Sequence, residues 1–151
     1  MFCVVFLLVN CVAGWGTDGH MVVAELAELL LEPKAKEFFL GVLKAPSLAS
    51  VATWADQVDH TPEFAWTKCM HYIDAKDGVC AVDFPSDCTR GCCVVSAIHN
   101  YTENVNLEDP LKFLIHFVGD VHQPLHAGRT SDQGGNGIHV TLQDRKSTRL
   151  N

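Results

Sequence analysis

The segment HFVGDVHQPLH, which begins at His116, constrains this chain more than any other part of it. In a helix, His116 and Asp120 lie four residues apart and project from one face. Pro124 cannot occupy a helix interior, so the helix is expected to end two or three residues earlier, with His126 on a loop that folds back towards that face. Imidazoles and a carboxylate that converge are ligands of the kind that zinc takes. A buried helix with ordinary core histidines is the alternative, but three histidines and an aspartate within eleven residues favour a metal site.

Length and charge limit the remaining possibilities. With 151 residues and 48% hydrophobic content, the chain is expected to form one domain. The net charge of −7 argues against affinity for nucleic acid through a basic patch. It does not exclude a nucleic-acid substrate, because bound divalent cations would be the largest local charges in such a site. No apolar run reaches the length of a membrane span.

Residues 1–14, MFCVVFLLVNCVAG, are uncharged and almost wholly apolar, and they end in small residues. This pattern predicts the apolar region and cleavage site of a signal peptide, although the usual positive charges at its start are missing. A buried N-terminal strand is the alternative. We therefore expect a secreted protein, which is extracellular or lies in the secretory pathway or vacuole.

Cysteine usage favours the same compartment. Five cysteines follow the apolar start, four of them within fourteen residues of a loop-like stretch: Cys69, Cys80, Cys88, Cys92 and Cys93. In a secreted protein such a cluster predicts disulfides that staple a loop, and zinc-binding cysteines are the competing interpretation. The odd count leaves one thiol free or paired with a residue outside this sequence. Asn100-Tyr101-Thr102 is a glycosylation sequon, which predicts a glycan on Asn100.

Apolar periodicity predicts helices in the first half of the chain. His20–Leu31 is apolar on nearly all sides, which predicts a buried helix. Pro33 suits the start of a second helix, whose apolar positions recur to Leu43. Ser47 is a plausible N-cap for a third helix over Leu48–Val58.

Apolar periodicity also predicts helices in the second half of the chain, up to Gly128, where the sequence becomes rich in Gly, Ser and Asp. The apolar spacing from Val94 to Val105 predicts a fourth helix, and Asp109-Pro110 opens the fifth, which carries the histidine-rich segment. Near residues 136–143, alternating Ile138, Val140 and Leu142 predict a short strand or hairpin. The fold class is therefore mainly α.

Further candidate ligands lie elsewhere in the chain, and each is weak evidence alone. If cleavage follows residue 14, the free amino group and the carbonyl of Trp15 can chelate a metal together with His20. Without cleavage, Trp15 is simply an aromatic residue beside a helix start. Asp56, in Trp-Ala-Asp, lies on the third predicted helix, where a lone aspartate is usually solvated. His71 and Asp74, in His-Tyr-Ile-Asp, follow a Trp-containing loop.

Together these motifs are specific. WGxxGH, WAD, HYID, CVVSAI-x-NYT, HFVGDVHQPLH and GGN occur in this order, and the set resembles the S1/P1 nuclease family of secreted, zinc-dependent, single-strand-specific nucleases that also act as 3′-nucleotidases. The resemblance runs from Trp15 to about Val140. It implies a monomeric, multi-helix domain of the zinc nuclease and phospholipase C type over residues 15–143. Residues 144–151 are unlike any family segment and form an atypical tail, as a foreign or truncated end would.

The resemblance also implies ligands for three zinc ions. The first ion would be held by two carboxylates and two imidazoles, those of Asp56, His71, His116 and Asp120. The second would use the amino and carbonyl groups of Trp15, the imidazole of His20 and the other oxygen of Asp120. The third would take His126, with a His and an Asp that follow the GGN segment in the family.

The implied reaction is hydrolysis of phosphodiester bonds in single-stranded DNA and RNA by a metal-activated hydroxide, with 3′-nucleotidase activity. Asp74 matches the family position that orients the attacking water. Tyr72 matches the aromatic position on which a base stacks, and such stacking is worth roughly 1–3 kcal/mol and tolerates any sequence. Asn136, in the GGN segment, is assigned to substrate binding.

Two departures from the family pattern affect these expectations. Asp59 stands where the family has an Arg or Lys that contacts the phosphate. After GGNGIHV the family supplies a His and, four residues later, an Asp, whereas this chain ends TLQDRKSTRLN and its His139 falls too early. The sequence therefore predicts an incomplete third zinc site, a missing C-terminal part and uncertain activity for this chain. A zinc phospholipase C-like phosphodiesterase and a non-catalytic secreted metal-binding relative remain as alternatives.

Overall fold

The computed structural model describes residues 15–132 and 135, and this part of the chain is mainly helical. Five α-helices follow one another along the chain: α1 Thr17–Leu30, α2 Pro33–Leu43, α3 Trp54–Val58, α4 Val94–Thr102 and α5 Glu108–Val121. Short 3₁₀-helices lie between and after them: Ala49–Val51, Ala65–Met70, Thr89–Gly91, Pro124–Ala127 and Thr130–Asp132. The described residues contain no strand, only an isolated parallel bridge between Ala75 and Arg129. The mainly α prediction is confirmed.

Several predictions fall outside the described residues. These are the signal peptide over 1–14, the strand or hairpin near 136–143, the role of Asn136 and the atypical tail 144–151. Among the helices of the described part, none is both long and apolar enough to span a membrane.

Helix α5 lies between the two hydrophobic cores of the domain. Its Phe113 and Phe117 stack on each other, with ring centroids 5.6 Å apart, in a core shared with α3 and α4. Its Leu111 belongs to the second core, which includes Ala24 of α1 and Leu43 of α2. Burial of both sides of α5 explains why its His116 and Asp120 are also buried.

Three of the predicted helix bounds are confirmed. Helix α2 begins at Pro33 and ends at Leu43, and α5 ends at Val121, three residues before Pro124. Helix α4 ends at Thr102, short of the predicted Val105.

The single third helix predicted over Leu48–Val58 is wrong, because the segment divides into a 3₁₀ turn and α3. Ser47 is not the N-cap of the first piece, which is Leu48, although the Ser47 Oγ accepts a hydrogen bond from the Ser50 amide at 3.2 Å. At the break, the carbonyl of Ala52 accepts a hydrogen bond from His116 Nδ1 at 2.7 Å. This contact with α5 replaces a bond within a continuous helix.

Helix α1 is less buried than its sequence predicts. His20 and Ala24 are buried against α5, but four apolar side chains on its other faces are exposed: Val22, Leu26, Leu29 and Leu30. The prediction of a fully buried helix is wrong for this part of the chain, because α1 packs against described residues through one face only.

Two disulfides hold the loop between α3 and α4. Cys69 is bonded to Cys92, and Cys88 is bonded to Cys93, while Cys80 is an exposed free thiol. The predicted loop-stapling disulfides are therefore present, and the zinc-binding interpretation of these cysteines is wrong. The bond from Cys69 ties the segment just before His71 to the start of α4.

Candidate metal centre

Five side chains gather around the carboxylate of Asp120 and form a cluster of six residues with it. His116 and Asp120 share one face of α5, as their four-residue spacing predicts. The others come from α1, α3, the end of the 3₁₀-helix Ala65–Met70 and the 3₁₀-helix after α5: His20, Asp56, His71 and His126. The sequence could not show that these distant residues meet, but the structure brings all six together.

One carboxylate oxygen of Asp120 faces two histidines. Asp120 Oδ2 lies 3.0 Å from His71 Nδ1 and 3.2 Å from His116 Nε2. Asp56 Oδ1 completes this group, because it lies 3.2 Å from His116 Nε2 and 3.6 Å from His71 Nδ1. Two imidazoles and two carboxylates therefore face one another, and they are the same four residues that the family resemblance implies for the first zinc ion.

The second carboxylate oxygen of Asp120 faces the other two histidines. Asp120 Oδ1 lies 3.4 Å from His20 Nε2 and 3.5 Å from His126 Nε2. Trp15 lines the same cavity as these residues. Each oxygen of Asp120 therefore serves a different set of nitrogen atoms, which is the arrangement that a carboxylate between two metal ions requires.

The neighbouring helices fix the orientation of these rings. His116 Nδ1 donates to the Ala52 carbonyl, which directs Nε2 towards the two carboxylates. The ring of His20 stacks on that of His116, with centroids 4.0 Å apart. Gly119 leaves room for His20, because a Cβ atom at this position would lie closer than 3.0 Å to His20 Nδ1. His71 packs edge-on against Phe117 of the core.

Charge within the cluster shifts the pKa values of its members. Burial alone would raise the pKa of Asp120, but hydrogen bonds from His116 and His71 hold that pKa well below its usual range. Burial likewise opposes the charged form of His116, yet Asp120 and Asp56 raise its pKa to about 10. For Asp56, burial is outweighed by the hydrogen bond and the charges of the histidines, so its pKa is lowered.

The pKa of His20 is shifted in the opposite direction to that of His116. Burial, followed by the positive charge of His116, lowers the pKa of His20 to about 4. A neutral imidazole is the form that binds a metal ion, so His20 is held ready for that role near neutral pH.

The donor set fits zinc. The ring nitrogens that face Asp120 are Nε2 of His20, His116 and His126 and Nδ1 of His71. Two groups have ligand atoms within 4.8 Å of one another: His20 with Asp56 and His116, and His71 with His116 and Asp120. Imidazole nitrogens and carboxylate oxygens are zinc ligands, and the nearby cysteines do not compete because they form disulfides.

Two cavities adjoin the cluster and share Tyr72. The ligand cavity, of about 430 Å³, is lined by five of the six converging residues (all but His116) and by Trp15, Asp59, His60, Lys68 and Tyr72. The neighbouring cavity, of about 480 Å³, is lined by Tyr72, Asp74 and Arg90 among others. The structure thus places Tyr72 beside the cluster, whereas Asp74 lines the neighbouring cavity rather than the ligand cavity. Asn100 is exposed on α4.

Comparison with known proteins agrees with this geometry. The family model described as S1/P1 Nuclease matches residues 15–150. The chain belongs to the S1/P1 nuclease family. It is 42% identical to nuclease S1 of Aspergillus oryzae over 151 aligned positions, which cover 91% of this chain and 52% of the relative.

Other relatives give the same result. Nuclease P1 of Penicillium citrinum is 40% identical over 85% of this chain and 52% of its own length. Endonuclease 4 of Arabidopsis thaliana is 35% identical over 93% of this chain and 54% of its own length. The chain spans about half the length of the curated relatives it matches.

Sequence reasoning missed three features that support the cluster in this member of the S1/P1 nuclease family. The Ala52 carbonyl that orients His116 has no sequence signal, because any residue can supply a carbonyl. The need for glycine at position 119 arises only from the approach of His20 across the fold. Lys68 in the ligand cavity had one available signal, its spacing of three residues before His71.

Proposed function

We propose that this chain forms the metal-binding part of a secreted zinc nuclease, which hydrolyses phosphodiester bonds of single-stranded DNA and RNA and releases phosphate from 3′-nucleotides. The observation that carries the proposal is the convergence on Asp120, whose two carboxylate oxygens face separate sets of histidines. This arrangement occurs in a chain of the S1/P1 nuclease family.

The proposed ligand residues would hold three zinc ions. Asp56, His71, His116 and Asp120 would hold one zinc ion, and Trp15, His20 and Asp120 a second. His126 would contribute to a third. When bound, zinc supplies Lewis acidity towards a phosphate oxygen and makes a water molecule more acidic.

The protein side chains contribute charge and orientation. The low pKa of Asp120 keeps it ionised as a ligand over the whole range of physiological pH. The hydrogen bond from His116 to the Ala52 carbonyl holds that ring in place before any metal arrives. A preformed arrangement of this kind reduces the conformational entropy that is lost when a metal ion binds.

Tyr72 accounts for single-strand preference in this proposal. It lines both the ligand cavity and the neighbouring one, so a base stacked on its ring would leave its phosphate near the metal ligands. A base in a duplex must first be unstacked, which costs a few kcal/mol. A single-stranded base avoids this cost and gains roughly 1–3 kcal/mol from stacking.

The remaining assignments are proposed from the family resemblance. Asp74 would orient the attacking water and Asn136 would bind substrate. Residues 1–14 would be a signal peptide, residues 15–143 the nuclease domain and residues 144–151 an atypical tail. Secretion is supported by the two disulfides, which persist in oxidising compartments, and the exposed Asn100 would then carry a glycan. We also propose that the protein is a monomer.

The test compares two histidine variants of the purified chain. His116→Ala removes a buried ligand, so bound zinc and hydrolysis of oligothymidylate should both fall sharply. His122→Ala is the matched control, because this histidine is exposed at the end of α5 and does not line the ligand cavity. Full zinc content and unchanged hydrolysis in His116→Ala would contradict the proposal.

A third variant separates substrate binding from metal binding. Tyr72→Ala should retain zinc and bind oligothymidylate about 5- to 150-fold more weakly, because the stacking surface is lost. Unchanged affinity would exclude the stacking role. Phosphatidylcholine serves as the comparison substrate: its hydrolysis in preference to DNA would favour the phospholipase C-like alternative. Tight zinc binding without any hydrolysis would favour the non-catalytic one.

A further inference from the structure

The ligand cavity has a carboxylate where the family resemblance implies a phosphate-binding cation. Asp59 lines this cavity and its side chain is only 15% exposed. Its Oδ1 lies 2.9 Å from His60 Nδ1 but accepts no well-aligned hydrogen bond within the described residues. A partly buried aspartate repels a phosphate group, so Asp59 cannot perform the role of the arginine or lysine that it replaces.

Lys68 supplies a positive charge to the same cavity. Among the described residues that line it, Lys68 is the only lysine or arginine. It lies on the 3₁₀-helix Ala65–Met70, nine residues after Asp59 and three before the ligand His71. This helix is held by the disulfide from Cys69 and by the hydrogen bond of the buried Thr67 hydroxyl to the Phe64 carbonyl at 2.7 Å.

The ammonium group of Lys68 is available to a ligand. Over residues 15–132, no carboxylate lies within 4.0 Å of it, in contrast to Lys36, Lys44 and Lys112, which all form ion pairs. A lysine provides a compact charge on a flexible stem, which can follow a phosphate group without the fixed geometry of an arginine.

We propose that Lys68 binds the substrate phosphate at the metal centre and supplies the positive charge that is lost at Asp59. The inference rests on the proposed function and deepens it, because it assigns a substrate-binding residue to that site. The cavity that Lys68 shares with Tyr72 and the metal ligands would place its charge beside a phosphate whose base stacks on Tyr72. The competing explanation is that Lys68 is an ordinary solvated surface lysine.

The experiment measures binding of a hydrolysis-resistant phosphorothioate oligothymidylate to the zinc-loaded chain at several salt concentrations. Lys68→Gln should weaken binding by about tenfold, the effect of losing one charged hydrogen bond. It should also reduce the slope of log affinity against log salt by about 0.7, the value for one phosphate contact to a single strand. Zinc content, measured by atomic absorption, should not change.

Two further variants make the test specific. Lys34→Gln removes the same charge from an exposed position on α2, outside the ligand cavity, and should leave both affinity and salt slope near their original values. Asp59→Lys in the Lys68→Gln background restores a cation at the position where the family has one. It should recover most of the lost affinity.

The outcomes distinguish this inference from the proposed function. If the original chain binds the oligonucleotide with zinc, but Lys68→Gln behaves like Lys34→Gln in affinity and salt slope, the role of Lys68 is refuted and the nuclease proposal stands. If the original chain shows neither zinc-dependent binding nor hydrolysis, both are refuted. Weaker binding with a smaller slope, unchanged zinc and recovery by Asp59→Lys establishes the role.

Discussion

Substitution of Gly119 by alanine tests whether the histidines around Asp120 are held as tightly as the structure indicates. An added Cβ atom would lie closer than 3.0 Å to His20 Nδ1 and 3.1 Å from its Cε1, whereas ordinary contact begins at 3.4 Å. The His20 ring must therefore move by more than about 0.4 Å. It has little room to do so, because it is 2% exposed and stacks on His116 at 4.0 Å.

Two opposing terms set the change in stability. Alanine in place of glycine inside a helix favours folding by about 1 kcal/mol. Overpacking of a filled site costs about 1–3 kcal/mol. Gly119→Ala should therefore change the free energy of unfolding by between about zero and a loss of 2 kcal/mol. Gly41→Ala, in α2 with open space around the glycine, should instead gain up to about 1 kcal/mol, which makes it the matched control.

Metal content is the sharper measurement. Displacement of His20 removes a ligand from the Asp120 Oδ1 side, so Gly119→Ala should lose about one zinc ion per chain, while an ion on the Oδ2 side keeps His71 and His116 and remains. Urea unfolding and atomic absorption after dialysis give the two quantities. The reasoning fails if Gly119→Ala keeps the zinc content of the original chain and gains stability as Gly41→Ala does.

Two other perturbations test the scaffold. Glu28 accepts hydrogen bonds from Lys36 and then from the Leu48 amide, which together lower its pKa, so Glu28→Gln should cost about 1–2 kcal/mol near neutral pH. The pKa of Glu28 is lower in the folded than in the unfolded chain, so the difference in unfolding free energy between the two proteins should be complete above pH 4.5 and should diminish as the pH falls towards the folded pKa. A difference that does not depend on pH in urea titrations would contradict this reasoning. Replacing Cys69 and Cys92 together by serine should cost about 3 kcal/mol, the chain-entropy value for a loop of 23 residues, and thermal unfolding that matches the original chain would exclude this contribution.

The helix ends that are marked by a proline could be predicted from the sequence. Pro33 fixed the start of α2, and Pro124 fixed the end of α5, because a proline ring excludes the geometry of a helix interior. The break before α3 could not be predicted, since its local pattern is helical and the Ala52 carbonyl is taken by His116 from across the fold. The burial of α1 was also overestimated from its apolar sequence, because apolar residues on several faces of a helix do not show which face packs against the rest of the protein.

The candidate site could likewise be predicted only in part from the sequence. The pair on α5 followed from helical spacing, whereas the association of Asp56 and His71 with that pair came only from family resemblance. Their meeting depends on tertiary packing, which no local pattern encodes. The position of Asp74 shows the limit of such transfer, because it lines the cavity beside the ligand cavity, and its role in orienting water stays a prediction.

Because part of the cluster lies on α5, binding of a metal ion there would be coupled to folding. Phe117 is fully buried in the core and lies between His116 and Asp120 in sequence, and its ring contacts that of His71. A change that loosens this ring would therefore alter the positions of three ligands together. Conversely, metal binding to the folded chain alone stabilises it by mass action, by about 2.7 kcal/mol at a hundredfold excess over the dissociation constant. Thermal unfolding should consequently shift upwards with zinc in the original chain, and much less in His116→Ala.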